Sequence, residues 1–150
     1  MHRFNLVLIL TAALSAPVAV ADFPEPIQPN QLSDIKAQIE NGQAEAALEA
    51  LDTLLPGAQI DADVLNLMGY ANRKLGRFAQ SRSHYSRALR LDPNHKGALE
   101  YMGELELQTG HPDAARSLLG RLQILCPEGC EERDDLEEAF AESGIPLEGG

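Results

Sequence analysis

Gly42, Gly76 and Gly110 stand 34 residues apart, and the same offset links Ala47, Ser81 and Ala115, then Leu51, Tyr85 and Leu119, then Leu54, Ala88 and Leu122. In the last two copies it also joins Leu65 to Leu99, Gly69 to Gly103, and Pro93 to Pro127. A period of this length leaves few architectures open. Each copy is one supersecondary unit, too small to bury its apolar face alone, so neighbouring copies must stack and share a core.

Within a copy the apolar residues fall on two helical stripes: Leu65, Met68, Ala71 and Leu75 on the first, and Phe78, Ser81, Tyr85, Ala88 and Leu91 on the second. Gly76 between them is a helix stop. Small residues at Gly69, Ser81 and Ala88 allow the two helices to approach closely. Asp92-Pro93-Asn94 closes the pair, since proline disfavours helix in the residue before it and Asn94 is expected to cap the next helix.

These segments resemble the tetratricopeptide repeat: Leu67-Met68-Gly69-Tyr70-Ala71, Leu75-Gly76-Arg77-Phe78, Ala88-Leu89 and Leu91-Asp92-Pro93-Asn94 stand where that family has its signature. The third copy follows with Leu99, Met102, Gly103, Gly110, Ala115 and Pro127, although Gly120 within its second helix costs about 1 kcal/mol relative to alanine. The first copy is degenerate, with Ile35 in place of glycine and an early stop at Pro56-Gly57. The resemblance implies an all-α solenoid, a right-handed superhelix of three repeats over residues 30–127. Residues 128–150 are then a cysteine-containing turn, an acidic capping helix over residues 131–142 with Leu136, Ala139 and Phe140 facing inward, and a tail.

The chain begins with Arg3, an apolar run from Leu6 to Leu14, and small residues at Ala19 and Ala21. That layout predicts a signal peptide over residues 1–21, cleaved after Ala21, with a linker over residues 22–29 and a periplasmic destination. The apolar run is shorter than the roughly 20 residues that cross a bilayer, and no later stretch approaches that length. All 23 acidic residues lie beyond Ala21, against 11 of the 12 basic ones, so the remainder carries 11 minus 23, or −12. Nucleic acid is therefore a poor partner. Charge is unevenly spread, with a basic band between residues 63 and 92 and an acidic tail from Glu128 onward.

Cys126 and Cys130 flank Pro127-Glu128-Gly129. In an oxidising compartment a structural disulfide is the first reading, and a redox pair or a soft-metal site for copper or zinc is the alternative. Two thiolates do not complete a zinc site, and His84, His95 and His111 are not spaced to supply the missing ligands. Glycine-rich phosphate loops, nucleophile elbows and zinc-protease helices are absent, so the sequence proposes no catalytic residue, no metal and no cofactor.

The family resemblance implies that the first helix of each pair lines the inner curve. The candidate groove is then Leu32, Lys36 and Ile39 from the first copy, Asn66, Leu67, Tyr70, Arg73 and Lys74 from the second, and Glu100, Tyr101, Glu104, Leu107 and Gln108 from the third. Tyrosine, arginine and aliphatic groups suit capture of a peptide or helix of another protein. Tyr70 and Tyr101 suit equally the covering of neighbouring helices. The family's clamp for chaperone tail carboxylates is not reproduced beyond Asn66. The expectation is a non-catalytic adaptor; the alternative is an accessory protein for metal or thiol handling through Cys126 and Cys130. The flanks of so short an array also leave room for self-association.

Overall fold

The computed structural model describes residues 27–55 and 61–148. The expected signal peptide and its cleavage site, most of the linker, and the Pro56-Gly57 stop lie outside the described residues. Among those described there are seven helices and no strand: α1 (Pro29–Glu40), α2 (Ala44–Leu54), α3 (Ala62–Lys74), α4 (Phe78–Leu91), α5 (Lys96–Gln108), α6 (Pro112–Leu125) and α7 (Glu131–Ser143). They form three antiparallel pairs, α1 with α2, α3 with α4 and α5 with α6, followed by α7.

The period is written into the backbone at the helix ends. Gly42, Gly76 and Gly110 adopt φ of +81°, +73° and +80°, a left-handed conformation that costs a side chain but not glycine. Each then makes the same two closing bonds. The Gly76 N–H donates to Arg73 O and the Arg77 N–H to Asn72 O, matched by Gly42 to Ile39 with Gln43 to Gln38, and by Gly110 to Leu107 with His111 to Glu106. This double bond satisfies carbonyls that a bare helix end leaves open. Gly144, a further 34 residues on, repeats it at φ +69°, with bonds to Ala141 O and from Ile145 to Phe140 O. The capping helix α7 thus ends as the first helix of a repeat does, and it lies against α5 and α6 as α5 lies against α3 and α4.

Two apolar clusters follow the pairing. Ile35, Ile39, Leu51, Val64, Leu65 and Met68 anchor one across α1 to α4, and Leu99, Leu118, Leu119, Leu122, Leu136 and Phe140 anchor the other across α5 to α7, with Leu89 touching both. The close approaches are specific. A Cβ on Gly69 would lie 2.5 Å from the Tyr85 ring, and one on Gly103 would lie 2.6 Å from Leu136 Cδ2. Ser81, fully buried, donates its hydroxyl to Gly69 O at 2.8 Å.

Two expectations are corrected. Asn94 does not cap α5; His95 does, because its Nδ1 accepts from the Ala98 N–H at 3.1 Å while Nε2 lies 2.8 Å from Asp63 Oδ1 on α3. Asn94 instead turns the chain, its N–H donating to Asp92 Oδ1. Leu91 is not part of the inward stripe, being 53% exposed as the last residue of α4, one step beyond the side that Ala88 buries. Gly120 behaves as its position suggests. A Cβ there would meet no atom within 4 Å, so Gly120→Ala is expected to raise stability by about 1 kcal/mol in urea denaturation.

Candidate functional site

Helices α1, α3, α5 and α7 lie side by side, each in contact with the next, and make one face of the molecule. Residues three and four apart share a side of a helix, so the candidate groove residues of α1, α3 and α5 are brought onto adjoining strips of this face. Their exposure differs. Asn66, Leu67, Tyr70 and Glu100 are buried, and Ile39 belongs wholly to the core. Leu32, Lys36, Arg73, Tyr101, Glu104 and Leu107 are half-buried, while Lys74 and Gln108 are exposed.

The centre of the face is closed by aromatic packing. Tyr70 of α3 stacks on Tyr101 of α5 with ring centroids 4.6 Å apart and planes 16° from parallel. The Arg73 guanidinium lies over both rings, 5.5 Å and 5.8 Å from their centroids, and is paired with Glu104. Lys36 and Lys74 approach the same stack from its edges, 6.0 Å from Tyr101 and 5.8 Å from Tyr70. The tyrosines therefore bind α3 to α5 and at the same time offer a cationic, flat-sided ridge to anything laid across them.

Among the described residues, three hollows adjoin that ridge. One of about 260 Å³ is lined by Leu32, Ser33, Lys36, Asp63, Asn66 and Leu67. A second, about 410 Å³, lies between Arg73, Glu104, Leu107 and Gln108 on one side and Ala139, Glu142 and Ser143 on the other. The third, about 180 Å³, has Glu100 and Tyr101 facing Glu131, Glu132 and Asp135. Sequence reasoning missed the contribution of α7. Its acidic residues are not solvated surface alone; they form a wall of the inner face, and the signal for this was Gly144, which continues the period one step beyond the third repeat.

Burial, reinforced by the carboxylates of Glu104, Asp135 and Glu132 and opposed by Lys36, pushes Glu100 up to about 8 from the ordinary 4.5. Burial also raises Glu104, against the pull of Arg73. A folded value above the unfolded one means that folding favours the protonated acid. Glu100 therefore contributes fully below about pH 4.5, and that contribution is lost as pH rises towards about 8. Glu100→Gln is expected to flatten this part of the slope, so that variant and wild type diverge in unfolding midpoint between pH 5 and pH 8, with the variant ahead at the upper end.

Cys126 and Cys130 are joined in a disulfide, Cα atoms 5.9 Å apart, across the turn from α6 to α7. Arg133 ties the same turn, its Nη1 donating to Cys126 O and Pro127 O at 3.2 Å each. In this state neither sulfur is a thiolate. Two of the histidines are engaged elsewhere, His95 as a cap and His111 beside Glu106 Oε2 at 3.2 Å, while the buried Nδ1 of His84 has no hydrogen-bond partner. Among the described residues no three histidine, cysteine or acidic groups converge as metal ligands.

With helix pairs, glycine caps and inner face in place, the sequence of residues 62–95 matches the tetratricopeptide repeat. Residues 62–95 are a tetratricopeptide repeat. Solved structures agree on the fold. This chain is similar to PcrH, solved in complex with the chaperone binding region of PopB, at 22% identity and a TM-score of 0.60 over 77% of this chain and 96% of that one. It is also similar to MamA, at 19% identity and a TM-score of 0.57 over 75% and 74% of the two chains. No match is found among curated proteins. The matched repeat is α3 and α4 with the turn to α5, the pair that the sequence also presents most clearly.

Proposed function

We propose that this protein is a non-catalytic adaptor that holds a peptide or helix of another protein against the face made by α1, α3, α5 and α7, in the periplasm. The observation that carries the reading is the arrangement of that face, a cation-edged tyrosine ridge between three hollows spread along four helices. Several shallow recesses in a row suit a ligand with side chains at intervals better than one small molecule, which is usually enclosed in a single deep cleft. PcrH, similar in fold, is solved with a segment of a protein partner. Export is supported by the residue pattern of the first 21 positions and fits a disulfide at Cys126 and Cys130.

Site-directed photo-crosslinking in the native compartment tests both parts. A photoreactive residue at Leu32, Leu107 or Gln108, on the inner face, is expected to trap a discrete partner that the same residue at Arg90, on the exposed end of α4, does not. Equal yields from both faces would remove the proposal. Recovery of the product only from the cytoplasmic fraction would remove the address. Cys126→Ser with Cys130→Ser separates this reading from thiol or metal handling: an adaptor keeps its crosslink, whereas a thiol or metal carrier loses its function while still folded.

A further inference from the structure

We propose that the hollow between α5 and α7 is an anchor site for one arginine side chain of the bound partner. The inference rests on the inner face being the docking surface and adds the chemistry of one contact on it. Its first support is Glu100, 5% exposed, which lines the hollow and to whose carboxylate no hydrogen bond or ion pair is made among the described residues. A carboxylate so enclosed is costly to ionise, and a donor supplied on binding would offset that cost. The second support is Asn66, 7% exposed, which lines the same hollow and whose Oδ1 also has no hydrogen-bond partner. Two acceptors lining one recess call for a donor that branches.

Charge and shape select among cations. Glu131, Glu132 and Asp135 of α7 add negative charge to the hollow, against Lys36, while Lys96 lies 3.6 Å from Glu132 outside the lining. The carboxylates are spread over about 180 Å³ and do not close on a point, which suits a planar fork of five donors better than a metal ion. Tyr101 lines the hollow beside the acids and gives it an aromatic neighbour for a guanidinium. Because Glu100 is held up at about 8 in the empty site, an arginine must displace its proton, and binding is expected to tighten as pH rises from 6 towards 8.5. Glu104, paired with Arg73, and Lys36 shape that dependence from the neighbouring strips.

The test is an NMR titration of the full folded chain with N-acetyl-arginine methylamide, with the leucine and lysine analogues and magnesium chloride as separate arms. The expected result is saturable movement of the Gly97, Tyr101 and Asp135 amides with the arginine probe. It should be weakened on the order of tenfold or more in Glu100→Gln, which preserves volume and removes the carboxylate that arginine binding would ionise. No saturable movement, equal movement with the leucine probe, or stronger binding of lysine or magnesium would each overturn the proposal. The outcomes stay separable from the adaptor reading: a crosslinked partner at Leu107 without arginine binding here removes the anchor alone, and arginine binding without any crosslink removes the adaptor.

Discussion

Phe140→Ala is expected to destabilise the protein by about 3–5 kcal/mol, a large share of the stability of a domain this size. The ring is fully buried in the cluster formed with Leu99, Leu119, Leu122 and Leu136, so its removal leaves a cavity in the core. The same cluster makes α7 an integral part of the last repeat. Deleting residues 131–150 would uncover Gly103, against which Leu136 is seated, along with the apolar side of α5. The truncated chain is expected to lose cooperative unfolding in its α5–α6 segment before the α1–α4 cluster is affected. Urea titration followed by circular dichroism measures the first effect, and amide hydrogen exchange compared between the two clusters measures the second.

Arg82→Ala should cost about 2–3 kcal/mol through the partner it abandons. Glu106, 5% exposed, accepts from Arg82 Nε at 2.7 Å and from Nη2 at 2.9 Å, and Nη2 also donates to Thr109 Oγ1 at 2.9 Å. Removal of the guanidinium leaves a buried carboxylate facing only His111 at 3.2 Å. The Arg82 side chain is 36% exposed, so water moderates the loss and the figure belongs below that for a fully enclosed pair. Arg82→Leu combined with Glu106→Leu is expected to recover most of the stability, because the two charges then leave together. Chemical denaturation of the single and double variants decides it; a double variant as weak as Arg82→Ala would show that packing by the arginine stem matters more than its charge.

Residues 72, 106 and 140 share one position in the period, and they mark how far the sequence could be read. All three are buried, as the period requires, yet they are an asparagine bonded to Met68 O, a glutamate paired with arginine, and a phenylalanine. Helix spans, turns and close contacts were legible because each is set by local chemistry: a left-handed glycine, a small residue, a proline. The inner face was legible in outline, since α1, α3 and α5 each present a strip at helical spacing. What could not be read was the distance between strips. Whether Tyr70 and Tyr101 stand apart or stack depends on how closely α3 and α5 approach, which is set by residues outside the two strips, with α4 packed against both helices. The share of α7 was hidden differently, because its carboxylates look like any solvated acidic helix until Gly144 is counted with the other caps.

That chain of identical caps bears on how such a molecule can change length. Each helix pair touches only the pairs before and after it, and every hairpin turns on the same backbone geometry, so a segment of 34 residues can be spliced in or out at a turn without altering the shape of the segments beyond it. Growth by duplication would lengthen the ledge and add one recess per step, while the acidic end formed by α7 is carried along unchanged.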